Sequence, residues 1–324
     1  VKKYILVAVV LIFNCAYADG FKKYSGEFLY NGVGSRALAM GSAFVGVAND
    51  VTAGFWNPAG LVDASGIQMQ FMHARQFVSS IQYDYLAASL NMESGTAYGF
   101  SLIRLGVNYI KDTRNALRGE TIAEGLDPSR ISQFNTADYV FYLSYARSLN
   151  ERLSCGANVK LLYRDFALES ALGIGFDAAA RYKITDRLIL GLIFRDITTT
   201  MMAWTTGEKE FITPALRPGI TYRYDFSKIG LYIQPAVDLN LLFESRAAAA
   251  QIHLSPLSLD SFWGMEIGFK NITFLRFGYD DLNRISAGIG ISISRLAVDY
   301  SYTNYDRELG NIHRISFQLK LPSD

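Results

Sequence analysis

The sequence is poor in the residues that hold metals and cross-link small scaffolds: it has three histidines and two cysteines among 324 residues. That scarcity excludes a zinc site of ordinary ligand spacing and a disulfide framework, and no cofactor is expected. Charge of one sign is missing too, because 31 Lys and Arg stand against 30 Asp and Glu. Nothing therefore recommends a nucleic-acid or polyanion partner. Charged residues make up only 19% of the chain, below the usual quarter or so. Past the opening residues, no stretch approaches the roughly 18 to 20 consecutive apolar residues of a spanning helix, which excludes a helical membrane protein. Aromatics, by contrast, are plentiful. Twenty Tyr and 21 Phe against seven Pro suit strands rather than disorder.

The first residues read as an export leader. Lys2 and Lys3 form a basic start, Tyr4 to Phe13 is an unbroken apolar run, and Ala16-Tyr17-Ala18 offers a small-x-small cleavage site. The run is too short to span a bilayer as a helix. Cleavage is expected after Ala18, leaving Cys155 as the single cysteine. An exported, aromatic-rich β chain is either a soluble protein or an outer-membrane barrel.

From Ile67 onward the dominant pattern has period two. Leu153, Cys155, Ala157, Val159, Leu161 and Tyr163 share one face, while Ser154, Gly156, Asn158, Lys160, Leu162 and Arg164 fall on the other. Such alternation means strands with one apolar and one polar or small face. About 14 runs of this kind can be counted, beginning near Ile67, Ser80, Thr96, Ala137, Arg152, Leu172, Arg187, Ala215, Ile229, Phe262, Ile272, Arg284, Leu296 and Ile312. Ala247 to Leu254 is a further candidate strand.

The connections separate barrel from sandwich. Even-numbered ones are tight, as at Glu93-Ser94-Gly95, Asn150-Glu151 and Ser294-Arg295. Odd-numbered ones run longer on average, over Val107 to Thr136, Ile197 to Pro214 and Glu244 to Ser261. This is the up-and-down layout of a membrane barrel, whereas a sandwich would show Greek-key crossings. The second face also lacks the Lys and Glu that a soluble surface carries. It holds Gly, Ser, Ala and Asn with single charges: Lys160, Asp177, Arg195, Arg217, Asp238, Glu266, Arg276 and Asp299. A narrow lumen suits them. Tyr139, Tyr163, Tyr182, Phe194, Tyr222, Tyr300 and Tyr302 lie on the outward face, as girdle residues would. The reading is an all-β, transmembrane, up-and-down antiparallel β-barrel of about 14 strands, occupying residues 64–324.

Residues 19–63 differ in composition. Gly34 to Asp50 is packed with tiny residues, and Phe55-Trp56-Asn57-Pro58-Ala59-Gly60-Leu61 follows. Gly and Ala let backbones approach closely, and Pro58 holds Asn57 out of the α region. A segment this small and apolar belongs inside the barrel mouth, as a hatch.

The run GSRALAMGSAFVGVANDVTAGFWNPAGL, Gly34 to Leu61, resembles the opening signature of the PorV/PorQ family of outer-membrane proteins, itself similar to the FadL-like long-chain fatty-acid transporters. Leu296 to Leu321, with Asp299-Tyr300-Ser301-Tyr302 and Leu309 to Ser316, resembles that family's last two strands. The resemblance implies a 14-stranded barrel with an N-terminal hatch, in which the hatch motif maps onto Asn57, Pro58 and Ala59. It implies passage or binding of a hydrophobic small molecule. The PorV branch implies an alternative, a docking or shuttle protein for secreted cargo in type IX secretion. The expected partners are outer-membrane lipid, the barrel-assembly machinery (recognising Phe317 and Leu321 in the last strand), and a hydrophobic ligand or secreted cargo.

No catalytic constellation is legible, so no enzyme is expected. His73, His253 and His313 are far apart and near no nucleophile pattern; His73 and His253 fall at expected strand ends. The lumen charges have two readings, a network that rigidifies the wall or a polar path with a carboxylate-binding Arg. Asn57-Pro58-Ala59 likewise is a packed turn or a movable element. Leu117, Ile122 and Leu126 are spaced for a short amphipathic helix over the outer mouth.

Overall fold

The computed structural model describes residues 26–76, 80–117, 125–246, 250–305 and 310–322. The expected leader, residues 1–18, lies outside them, as do residues 19–25 of the expected hatch. Eighteen strands join one sheet among the described residues. The first seven follow in order: β1 (Ile67–Gln76), β2 (Ile81–Met92), β3 (Thr96–Asp112), β4 (Ser132–Ser148), β5 (Leu153–Phe166), β6 (Glu169–Lys183) and β7 (Leu188–Arg195). β8 (Thr200–Trp204) and β9 (Lys209–Ile212) form a hairpin that extends the edge of β6 beyond the wall. The wall resumes with β10 (Ala215–Tyr222), continued as β11 (Tyr224–Phe226), and with β12 (Leu231–Leu242). β13 (Ile252–Leu254) is a short outer partner of β14 (Leu257–Phe269). β15 (Thr273–Tyr279), β16 (Ile285–Ile293), β17 (Leu296–Thr303) and β18 (Ile312–Leu321) complete the chain. β18 pairs back onto β1, with Phe317 opposite Phe71. With β8, β9 and β13 outside the wall and β11 continuing β10, the result is a closed antiparallel barrel of 14 strands.

Every expected run became a wall strand, with starts shifted by up to five residues. The long loops shrink because β3 and β4 extend past the expected wall: the Val107 to Thr136 connection is only 113–131. The amphipathic helix is corrected. Leu117 and Leu126 face each other in an antiparallel bridge rather than on one helical face, and Ile122 lies outside the described residues.

Packing shows an inside-out distribution. Outward apolar side chains are uncovered, with Leu172 65% and Phe317 50% exposed, while inward Lys160 and Glu266 are at most 1% exposed. A continuous exposed apolar band of this kind is unstable in water and satisfied by hydrocarbon. The polar groups of the wall's interior meet the hatch instead.

The described hatch, residues 26–63, is short turns of helix threaded through the lumen: Glu27–Asn31, Ser35–Ala39, Ala53–Trp56 and Pro58–Asp63. Its tiny residues are there for proximity. A Cβ on wall residue Gly278 would lie 1.9 Å from the Gly41 nitrogen, and one on Gly156 would lie 2.4 Å from the Ala59 nitrogen. Larger residues at these points would push the plug off the wall. Behind the contacts, Phe44, Phe55, Trp56, Met72, Tyr83 and Tyr85 are packed into one core. Trp56 donates through Nε1 to the Val33 carbonyl at 2.9 Å, and Tyr83 donates to the Gly32 carbonyl at 2.9 Å.

Candidate functional site

The hatch motif is a joint tied in three directions. Asn57 has extended backbone (φ −163°), and its side-chain oxygen accepts from the Ala59 N–H at 3.1 Å, capping the 3₁₀ turn that Pro58 begins. Its amide donates to the Val45 carbonyl within the hatch at 3.0 Å and to the Ala180 carbonyl of β6 at 3.3 Å. Ser154 on β5 donates to the Ala59 carbonyl, and Asn158 on the same strand donates to the Gly54 carbonyl, both at 2.9 Å. Asn57 and Ala59 are fully buried. An amide that joins three backbone segments fixes their relative position, since each of its bonds has no water to replace it.

The eight lumen charges all point inward, and seven of them divide into three groups. Lys160 sits between Asp177 at 2.9 Å and Asp196 at 2.8 Å; Asp196 stands where β7 ends and was not singled out in the sequence. Asp238 accepts from the Phe44 and Val45 N–H groups at 2.9 and 3.0 Å and from the Arg217 side chain at 3.2 Å. Glu266 receives Arg36 of the hatch in a two-pronged contact at 2.8 and 2.9 Å, Arg276 at 2.7 Å and the Tyr232 hydroxyl at 2.8 Å. Arg276 continues to Asp299 at 2.5 Å, and Arg36 to Asp50 at 2.9 Å. Arg195 is different. It bonds no carboxylate and instead lies over the Phe55 ring, 4.8 Å from its centroid, with one N–H directed at the Phe55 carbonyl at 3.4 Å. Arg36 carries the only charge of the Gly34 to Val47 segment, so its role as bridge to the wall needed the fold to be seen.

Above the Phe55 and Trp56 rings, a small cavity of about 20 Å³ opens toward the outer mouth. Arg195, Arg217, Arg284 and Arg314 reach it from the wall and loops, with Asp280 and Asp281 opposite. It has room for one water-sized molecule. Burial, with Asp280 and Asp260 nearby, pushes the Asp281 carboxyl of this outer loop above the usual carboxylate range. Arg314 is 4% exposed, donates to Thr303 at 2.8 Å, and its Nε has no acceptor.

Two histidines depart from expectation. His73 lies inside β1 rather than at a strand end, and its Nδ1 meets Asp84 at 2.7 Å on the outward face. His253, in β13, meets the Ser245 hydroxyl at 2.8 Å through Nε2, a Ser–His contact the sequence did not disclose. His73 is half-buried and His253 exposed, and no bond from a carboxylate orients the His253 ring among the described residues. A hydrolytic triad needs that third group.

No family model matches the sequence, and no curated protein does. Solved structures do match. The toluene transporter TbuX of Ralstonia pickettii is 13% identical with a TM-score of 0.60, over 90% of this chain and 98% of that one. The toluene transporter TodX of P. putida is 12% identical with a TM-score of 0.61, over 90% and 99%. A FadL homologue of Pseudomonas aeruginosa is 12% identical with a TM-score of 0.55, over 89% and 98%. Two of these neighbours are described as toluene transporters and the third as a FadL homologue, and at such identities the likeness is one of fold.

Proposed function

We propose that this chain is an outer-membrane barrel, similar to the PorV/PorQ proteins, that binds or passes a hydrophobic small molecule past its hatch. One observation carries the reading: a plugged 14-strand barrel whose fold is shared, over nearly its whole length, with proteins described as toluene transporters. The lumen supports it, because the hatch is fixed to the wall by discrete contacts that a rearrangement can exchange. The outer-membrane location rests on the exposed apolar band and on the expected leader; the barrel-assembly machinery would be needed to insert it.

A crosslink tests the reading. Ser35 and Ser316 place their hydroxyl oxygens 2.8 Å apart, one on the hatch and one on β18, so S35C/S316C meets the spacing a disulfide needs. Vesicles carrying the oxidised variant are expected to lose uptake of a labelled fatty acid or toluene, and to regain it on reduction. Wild-type uptake no greater than that of empty vesicles ends the transport reading.

The closed lumen favours a second reading. The cavity above Phe55 and Trp56 has room only for a water-sized molecule, while Tyr109 (76% exposed) and Leu168 (80%) present apolar surface at the outer tips. A docking protein for secreted cargo of a type IX system needs that surface and no passage. Co-purification with secreted proteins sharing a C-terminal domain, lost in L168E, would establish it.

A further inference from the structure

The outside of the wall carries charge at one place along the β1–β18 seam. On the outward face His73 contacts Asp84 at 2.7 Å, and Asp84 contacts Arg104 at 3.2 Å. These side chains are 27–37% exposed. One step further along β1 stands Arg75, exposed and with no carboxylate partner among the described residues. Opposite it on β18 is His313, whose Nδ1 meets the Tyr300 hydroxyl of β17 at 2.7 Å. Between them runs a groove of about 660 Å³ lined by His73, Arg75, Tyr300, Asn311, His313 and Ile315.

Position and charge point the same way. The Asp84 charge is already met by Arg104 and His73, so among the described residues Arg75 leaves the rim with uncompensated positive charge. Gly310 and Asn311 belong to the outer connection between β17 and β18, so the groove sits at the outer end of the wall. Directly below it the surface is uninterrupted hydrocarbon: Phe71 44%, Phe317 50%, Ile315 38% and Val298 40% exposed. A cationic seat above an apolar strip is the complement of a lipid standing in the outer leaflet. Guanidinium pairs strongly with phosphate oxygens, and tyrosine and histidine beside it add donors.

We propose that this groove holds the phosphate-bearing headgroup of an outer-leaflet lipid, with Arg75 as its main contact and the acyl chains along Phe71, Phe317, Ile315 and Val298. The inference rests on the membrane reading above but not on transport. A mature chain that stays folded and monomeric in buffer without detergent would end that membrane reading; the experiment below addresses the groove alone.

Full-length protein in a nonionic detergent is titrated with a bisphosphorylated diglucosamine lipid, or with the same lipid dephosphorylated, and bound lipid is counted by native mass spectrometry. Wild type is expected to hold the phosphorylated form about tenfold more tightly. R75Q should erase that preference and H313A weaken it, while R295Q, at the opposite end of the wall, should leave it intact. Unchanged heat-modifiable gel migration shows each variant to be folded. Equal binding of the two lipids, or an R75Q titration that matches wild type, overturns the proposal. Displacement of the lipid by millimolar inorganic phosphate also overturns it, by assigning the groove to free anions. Uptake by R75Q vesicles should equal wild type, which keeps this result separate from the transport test.

Discussion

The two halves of the hatch are fastened by different chemistry. The first, from Ser35 to Val47, is tied to β12, β14 and β15 through ions: Arg36 meets Glu266, which shares Arg276, and Asp238 collects two hatch N–H groups. The second, from Ala53 to Leu61, is held on β5 and β6 chiefly by neutral groups, Asn57, Ser154 and Asn158, with Arg195 donating to the Phe55 carbonyl and Asp63 pairing with Arg181 and Lys183 only where the hatch ends. Both halves press backbone against wall glycine. The difference teaches which half can be released. Neutral hydrogen bonds exchange singly, at about 1 kcal/mol each, whereas opening the ionic half strands buried charge. If the plug moves, the Asn57 half moves first, and clearing the lumen requires the Ser35 half to follow.

The strongest blow to this contrast is E266Q. It leaves Arg36 and Arg276 buried without their shared carboxylate, and the expected loss is about 3–5 kcal/mol, read as a lower urea midpoint of the barrel in vesicles. N57A removes the three-way joint and is expected to cost about 1–3 kcal/mol by the same measurement, with faster proteolysis within the second half. Equal losses for E266Q and N57A would erase the distinction between the halves. The smallest effect is expected at the outer mouth, from D281N. Because the Asp281 carboxyl is raised in the folded protein, the native state binds its proton more readily than the unfolded chain. Its contribution is therefore present at acid pH and is lost as pH rises through the carboxylate range to the folded value. D281N should flatten that fall and stabilise the loop by a few tenths of a kcal/mol at neutral pH, about the scale of a lightly coupled site, seen in hydrogen exchange at 280–284.

Strand order and facing were legible because the wall is two-sided. A strand with lipid outside and a crowded lumen inside cannot slip by one residue without inverting every side chain, so Leu161 and Lys160 declare their faces from sequence. The β8–β9 hairpin was not legible, since Thr200–Trp204 and Lys209–Ile212 are too short to show a period. Leu117 and Leu126 misled because nine residues of helix, at about 100° each, carry one to the far side of the other, whereas an antiparallel bridge sets them face to face. The eight lumen charges could be picked out by alternation, but their partners could not. Arg36 lies 230 residues from Glu266, and His73 meets Asp84 only because β1 and β2 pair in one register. Such pairings are properties of the closed sheet. Asn57 was found through its motif, yet its bond to Ala180 belongs to the folded lumen alone.

The seam between β1 and β18 is joined to the plug. Ser316 of β18 accepts from the Ser35 N–H at 2.9 Å and donates to the Ser35 hydroxyl, so the strand that closes the wall onto β1 also grips the plug the wall encloses. The closing seam and the seated plug therefore share one joint, and a defect in seating the plug is expected to surface as a weaker seam.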